Sequence, residues 1–128
     1  TPLMNTEQLR QWVAGGQEVG AHTQRHVDLT AATDELAAAE ISLSKQELEG
    51  NINQGVEHFC YPYGRYFPAH IALARQAGFA SATSTQRGRV ATGADLWALP
   101  RVPVLRATTL PVFWLKIATG YEDRRTWC

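Results

Sequence analysis

Residues 20–29, GAHTQRHVDL, place two histidines four positions apart, directly after a predicted strand at 17–23. Neutral imidazole is a common ligand of Zn²⁺, and side chains four apart on a helical turn lie about 5–6 Å apart at Cβ. In parallel α/β folds, ligands collect at the carboxyl ends of the strands. His22 and His26 are therefore candidate metal ligands, and Thr23 can fix one ring or a nearby carbonyl by hydrogen bonding. Two ordinary polar loop residues would give the same spacing.

Predicted helices and strands alternate along the rest of the chain. Capping residues and apolar spacing predict helices at 4–16, 30–51, 67–79 and 108–120, and strands at 17–23, 56–64, 80–85 and 96–104. This alternation predicts parallel βαβ units, and so an α/β protein. In the helix at 30–51, the predicted apolar face is formed by Leu36, Ile41, Leu43 and Leu48. The apolar stripe of the last helix is expected in the core or in the wall of an acyl pocket.

Length and composition exclude several classes of function. The 128 residues are enough for one domain, and the hydrophobic content of 45% is that of a globular protein. Twelve basic residues balance twelve acidic ones, which gives no electrostatic support for nucleic-acid binding. No apolar run reaches the roughly 20 residues of a membrane span. The two cysteines, Cys60 and Cys128, lack zinc-site spacing, and we expect Cys60 to fill the core and Cys128 to be frayed.

A second motif, FCYPYGRY, occupies residues 59–66 and also lies at the end of a predicted strand. Tyr63 and Gly64, after Pro62, form a rigid turn that can direct a backbone N–H at a ligand. A plain turn with its aromatic rings packed on the rim of the fold would have the same sequence.

Together and in this order, the motifs resemble those of NodB-type polysaccharide deacetylases, carbohydrate esterase family four. The resemblance covers residues 4–120 and is carried by LRQWVAGGQEVGAHTQRHVDLT (9–30), FCYPYG (59–64), IALARQAGFASATST (71–85) and LPRVPV (99–104). Its most specific parts are the G-x-H-[ST]-x-x-H block at 20–26 and the P-Y-G turn followed by a helix that ends in AGF. The branch it resembles most is the one similar to poly-N-acetylglucosamine deacetylases.

The resemblance implies a distorted (β/α) barrel, similar to a TIM barrel. We expect residues 1–128 to form a single domain that is incomplete at its N-terminus and lacks the first strand or strands of this barrel. The family's D-D-G motif, which supplies the catalytic base and a carboxylate metal ligand, has no counterpart in the chain.

The resemblance also assigns roles to individual residues. It implies that His22 and His26 hold a divalent metal, commonly zinc, which activates water for attack on an acetamide carbonyl. The backbone N–H of Tyr63 stabilises the resulting oxyanion. Substrate binding is expected at the turn and at nearby aromatic residues, namely Tyr61, Pro62, Tyr63, Gly64 and Trp97.

Two departures from the family pattern affect the catalytic groups. The family's third motif usually begins with Arg, where this chain has Cys60, and Arg101 on a later strand is the candidate to hold a carboxylate instead. Without the family resemblance, the sequence would place Arg101 simply as a surface residue at the edge of a strand. The late L-x-H motif is missing, and we expect His58 and His70 to be structural or solvated.

The function predicted from the sequence is a metal-dependent hydrolase that removes N-acetyl groups from N-acetylglucosamine-containing polysaccharide. Without the base, catalysis by this form of the chain is expected to be weak or absent. The alternatives are a non-catalytic carbohydrate-binding or scaffold domain, and a generic α/β domain whose histidines bind nothing. We expect homo-oligomers through exposed sheet edges. The resemblance alone implies an extracytoplasmic or cell-surface location.

Overall fold

The computed structural model describes residues 3–123, so that Cys128 lies outside the described part of the chain. Its helices are α1 (Thr6–Ala14), α2 (Asp34–Ile52), α3 (Pro68–Gln76) and α4 (Leu110–Ala118). Its strands are β1 (His58–Cys60), β2 (Ser81–Arg87) and β3 (Leu99–Arg101). Short 3-10 turns occupy Leu29–Ala31 and Pro62–Gly64. The predicted α/β class is confirmed.

The three strands form a parallel sheet in the order β1-β2-β3. Phe59 pairs with Ala82, and Thr83 pairs with Leu99. Because parallel strands end at the same edge of a sheet, this register brings the turn after β1 and the end of β3 to one side of the molecule. The sheet therefore gathers the two candidate regions that follow strands.

The prediction of a strand at 17–23 is wrong. Only Ala21 pairs with β1, through a single bridge to Phe59. Its N–H donates to His58 O at 2.8 Å, and its carbonyl accepts from Cys60 N–H at 2.9 Å. Gly20 runs so close to β1 that an added Cβ would lie 3.3 Å from His58 O. This edge of β1 is thus paired through one bridge, whereas its other edge pairs with β2 over three residues.

The two faces of the sheet differ in polarity. Phe59 and Ala82 lie in the hydrophobic core, with Ala37 and Ile41 of α2 and Ala74 of α3. The residues on either side of them in β1 and β2 line an open cavity, namely His58, Cys60, Ser81 and Thr83. Alternate residues of a strand point to opposite faces, so the helices cover one face and the polar face stays accessible.

The predicted apolar face of α2 is only partly correct. Ile41 is fully buried, whereas Leu36 is 36% exposed and Leu43 is 43% exposed. The buried face instead contains Ala37, Glu40, Ile41, Ser44 and Ile52. Ala37 and Ile41 on this face belong to the hydrophobic core, and α2 packs mainly against α1 and α3. As a result, the carboxylate of Glu40 points into the protein.

The expectation that α4 packs its apolar stripe in the core is wrong for this structure. The large apolar side chains of the helix are exposed: Leu110, Phe113, Trp114, Leu115 and Ile117. Its buried residue is Lys116, whose Nζ lies 2.7 Å from the fully buried carboxylate of Glu122. The ion pair draws the charged side of the helix inward and turns the apolar side outward. None of the helices within residues 3–123 combines the length and apolar character that crossing a bilayer requires.

The helix boundaries follow the predicted capping signals. Asn5 caps α1 in a capping box with Gln8, and Pro68 occupies the first turn of α3. In α3, His70 Nδ1 accepts from Phe67 N–H at 2.9 Å, which places a buried histidine in the structural role expected for it. Burial lowers the pKa of His70 and outweighs the opposite effect of Asp34 and Asp28.

Candidate functional site

The two histidines of the 20–29 stretch lie side by side on the surface. Their ring centroids are 4.7 Å apart, and the ring planes form an angle of 71°. His22 Nδ1 lies 2.6 Å from the carbonyl oxygen of Cys60, the last residue of β1. Because a carbonyl oxygen can only accept, Nδ1 carries the proton and the ring's lone pair lies on Nε2. Metal-binding histidines commonly have this arrangement, in which the second nitrogen donates to a carbonyl.

The loop between the histidines is attached to helix α2 through Glu40. The backbone N–H groups of Gln24 and Arg25 donate to Glu40 Oε2 at 2.9 and 2.8 Å. Arg25 Nε donates to Glu40 Oε1 at 2.7 Å. Burial alone would raise the pKa of the Glu40 carboxyl, but the Arg25 side chain and the two N–H groups outweigh it and the pKa is lowered. The carboxylate is therefore held in its charged form.

The turn after β1 places Tyr63 beside the histidines. The Tyr63 ring centroid lies 4.8 Å from that of His26, and the Tyr63 side chain is 59% exposed. Tyr63 adopts a left-handed backbone conformation, with φ 57° and ψ 6°. The hydrogen bonds of the turn run from Gly64 N–H to Tyr61 O and from Arg65 N–H to Pro62 O. Neither bond uses the N–H of Tyr63.

Gly64 is required by the approach of this turn to β2. A Cβ added to Gly64 would lie 2.0 Å from Thr85 Oγ1 and 2.6 Å from Thr85 N. The backbone of Gly64 is also left-handed, with φ 67°. Both constraints exclude a side chain, and the contact holds the turn against the sheet.

Arg101 lies at the end of β3 and closes the far side of the cavity. Its Nη2 donates to Thr83 Oγ1 at 2.6 Å and to Cys60 Sγ at 2.7 Å. Cys60 is thus half-buried against a guanidinium rather than a filler of the core. The cavity measures about 430 Å³, and His22 and Arg101 both line it. Within residues 3–123, no carboxylate lies within ion-pair distance of Arg101.

The histidine pair fits the donor chemistry of a metal site but does not complete one. Two imidazoles lie in an edge-to-face contact, and the hydrogen bond of His22 to Cys60 O leaves Nε2 available. In the described part of the chain, no group of three His, Cys, Asp or Glu side chains is placed to hold an ion. A catalytic zinc ion uses three protein ligands and an open position. These residues therefore account for two of the three.

Three of the aromatic and turn residues predicted to bind substrate are fully or partly buried. Tyr61 and Pro62 are buried. The Tyr61 hydroxyl donates to Trp97 O at 2.8 Å, and burial raises the pKa of this phenol well above its usual range. The Trp97 indole N–H donates to Phe79 O at 2.9 Å, and Arg75 covers its ring. Tyr61 is thus fully buried and Trp97 is half-buried under Arg75, and their stacking on a sugar stays a prediction.

Two further predictions concern polar residues near the pair. Thr23 Oγ1 is buried and has no hydrogen-bond partner within residues 3–123, so the prediction that it fixes a ring is wrong. Cys60 O, and not Thr23, holds His22. His58 Nδ1 lies 2.9 Å from Ser81 Oγ, and its other nitrogen lies 3.8 Å from Glu18 Oε1. His58 is thus a polar residue of the sheet face, as expected for a structural histidine.

The sequence analysis missed Glu40 and Thr83. Glu40 had a detectable signal, because it lies at helical spacing with Ala37 and Ile41 on the buried face, where an unpaired carboxylate would be costly. The sequence gives no comparable signal for Thr83, because it belongs to a run of small polar residues. Thr83 meets Arg101 only through the pairing of β2 with β3.

Comparison with known families and structures provides independent findings. The profile of the polysaccharide deacetylase family matches residues 3–82. Among solved structures, the chain is similar to a Streptococcus pyogenes deacetylase, PplD, in complex with acetate, with 23% identity and a TM-score of 0.83. The match covers 91% of this chain and 50% of that one, so the chain spans about half the length of the streptococcal structure. A comparison with curated protein sequences gives no match.

Two other structures extend the likeness. BC0361, a polysaccharide deacetylase from Bacillus cereus, is 25% identical with a TM-score of 0.81, and the match covers 89% of this chain and 36% of that one. A mutant of BA3943, a family 4 carbohydrate esterase pseudoenzyme, is 21% identical with a TM-score of 0.59, over 64% of this chain and 30% of that one. The shared fold therefore includes proteins with and without activity.

The close contact of Gly64 with Thr85 gives a prediction about stability. We expect Gly64→Ala to destabilise the protein more than Gly93→Ala, because both glycines have positive φ but only Gly64 meets another residue. Left-handed alanine costs about 1–2 kcal/mol, and the displaced turn should add about 1–3 kcal/mol at position 64. Urea unfolding of the two variants measures the difference. Equal losses of unfolding free energy would contradict the contact.

Proposed function

The chain belongs to the polysaccharide deacetylase family, and we propose that it is a metal-dependent hydrolase that removes N-acetyl groups from N-acetylglucosamine-containing polysaccharide. The observation that carries this proposal is the convergence of His22, His26 and Tyr63, whose neighbouring rings are 4.7 and 4.8 Å apart. They come from two separate parts of the chain, the loop after Ala21 and the turn after β1. Both lie at the carboxyl edge of a parallel sheet, where such folds bind ligands.

We propose that His22 and His26 hold a divalent ion, with zinc as the expected metal because imidazole suits it. When bound, such an ion supplies a Lewis acid for a carbonyl oxygen and acidifies water near neutral pH. The bond from His22 Nδ1 to Cys60 O fixes the tautomer and so presents Nε2 to the ion. The ring of His26 is restrained by its contact with Tyr63.

The remaining roles belong to the turn and to Arg101. In the proposed reaction, Tyr63 N–H donates to the acetamide oxygen as negative charge develops there. Pro62 and Gly64 maintain the backbone shape that this requires, and the exposed Tyr63 ring contacts the sugar. Arg101 holds a carboxylate with the part of its guanidinium that Cys60 and Thr83 do not use. Such a carboxylate would serve as the base, and none within residues 3–123 lies within ion-pair distance of Arg101.

Family membership supports several finer proposals. We propose that the three-stranded sheet is part of a distorted (β/α) barrel and that the chain belongs with the poly-N-acetylglucosamine deacetylase-like branch. Placement of an Arg on a later strand, with Cys60 in the earlier position, supports the branch. From the family alone, we propose an extracytoplasmic or cell-surface location.

A second candidate function is a non-catalytic carbohydrate-binding or scaffold domain of the same fold. One observation favours it: no third metal ligand and no carboxylate beside Arg101 occurs among residues 3–123. A pseudoenzyme is also among the similar structures. Fold alone does not determine activity, so the two functions require a direct test.

Zinc binding tests the proposed role of the histidine pair. We expect His22→Ala and His26→Ala each to weaken zinc binding at least about tenfold, because each removes a ligand. His58→Ala is the matched control, since His58 lines the same cavity but lies outside the pair. Titration calorimetry of the metal-free chain measures the affinities. Unchanged affinity in both pair variants would remove the metal assignment.

Acetate release separates the enzyme from the binding domain. With zinc and N-acetylglucosamine oligomers, we expect slow release, since loss of a base typically costs about 10²–10⁴ in rate. Release should fall further in His22→Ala and remain unchanged in His58→Ala. Oligomer binding without acetate release would favour the second function. If the chain neither binds the oligomers nor releases acetate, both candidate functions are contradicted.

We also propose that copies of the chain associate through the edges of the sheet. On one side β1 is covered by a single bridge to Ala21, and on the other β3 is the outer strand of the described sheet. Unpaired backbone groups at such edges pair readily with another chain. Light scattering at micromolar concentration should detect dimers or larger species. A monomer at every concentration would be the contrary result.

A further inference from the structure

The carboxylate of Glu40 is the feature of this molecule that the proposed reaction leaves unexplained. Glu40 is 1% exposed, although Glu is rarely buried without a specific partner. Its three hydrogen-bond donors all come from Gln24 and Arg25. These two residues lie between His22 and His26. All of these hydrogen bonds thus connect the buried carboxylate to the segment between the two candidate ligands.

This segment has a backbone shape that its own sequence does not favour. Thr23 and His26 are both left-handed, with φ 62° and 57°. For a β-branched residue such as Thr, this conformation is uncommon and requires support from surrounding structure. Thr23 Oγ1 is buried without a partner within residues 3–123, so its side chain provides no compensation. The support must come from the groups that hold residues 24 and 25.

We propose that Glu40 is a positioning residue for the histidine pair: its hydrogen bonds fix the loop so that the two imidazoles converge, and this sets their affinity for a divalent ion. The part that concerns the ion rests on the proposed function. The part that concerns the rings does not, because ring geometry can be measured without metal. Glu40 touches neither ring and acts only through the backbone between them.

The pattern of bonds distinguishes positioning from an ordinary ion pair. Arg25 is 68% exposed, so its guanidinium remains largely hydrated and gains little from pairing. The two backbone N–H groups, by contrast, both donate to Oε2, and this fixes the orientation of two consecutive peptide groups. Charge-assisted bonds to backbone N–H groups are stronger than neutral ones. The main effect of the carboxylate is therefore on loop shape.

The experiment compares Glu40→Gln with Glu47→Gln in the full chain. Gln keeps the size of the side chain but removes the charge and one acceptor oxygen. Glu47 is the matched control, because it lies on the same helix and bonds the same loop, but from an exposed position and through the Gln24 side chain. The first measurement is zinc affinity by calorimetry. The second, without metal, is the histidine ¹⁵N–¹H NMR spectrum, which reports the tautomer and the mobility of His22 and His26.

We expect Glu40→Gln to weaken zinc binding about 10–100-fold, the range seen when groups that orient ligands are removed. We also expect it to mix the His22 tautomers, with unchanged circular dichroism and unchanged His58 and His70 signals. Glu47→Gln should match the wild type. If the wild type binds no zinc, the proposed function fails, and the metal-free spectra still decide the role of Glu40. Wild-type affinity and wild-type histidine signals in Glu40→Gln would overturn the proposal.

A second variant covers the case in which Glu40→Gln does not fold. Arg25→Gln removes one of the three bonds and leaves α2 unchanged, and its exposed position makes folding secure. We expect a smaller loss, about threefold in zinc affinity, and faster hydrogen exchange at the Gln24 N–H, which stays bonded to Glu40. If the Gln24 and Arg25 N–H groups exchange in the wild type as fast as amides without a hydrogen bond, the carboxylate does not hold the loop and the proposal is overturned.

Discussion

The candidate site depends on the three residues of β1, because every part of it is attached to that strand. The bridge at Ala21 and the bond from His22 to Cys60 O fix the histidine loop along one edge of the strand. The Tyr63 turn continues directly from its end. On the other edge, pairing with β2 brings Thr83, and through it Arg101, to the same cavity. A short strand thus determines which distant segments meet.

The arrangement also shows why fold and activity must be kept apart in this family. The histidine loop and the tyrosine turn are structural features that a parallel sheet with a buried helical face can maintain without catalysis. The proposed reaction would require in addition a carboxylate base and a third metal ligand, and no group of three such ligands occurs within residues 3–123. A chain with this fold can therefore have or lack the proposed activity without a change in the features described here.

The sequence predicted the alternation of helices and strands, the caps of α1 and α3, and the family, because these depend on local patterns and short motifs. It failed where the outcome depends on packing between distant segments. The orientation of α2 that buries Glu40 and exposes Leu36 depends on packing between distant segments, among them α1 and α3. The burial of Tyr61 follows from its bond to Trp97 O, a residue far away in the chain. The burial of the charged side of α4 depends on the ion pair between Lys116 and Glu122, which the local sequence pattern does not reveal.

The contact between Gly64 and Thr85 links two positions that are 21 residues apart in the sequence. A side chain at position 64 would require both a different backbone conformation in the turn and a shift of β2, because it would meet the backbone nitrogen of Thr85 as well as its side chain. Two such changes rarely arise together, and either one alone brings no benefit. Across homologous sequences, the glycine should therefore vary little, whichever residue stands opposite it.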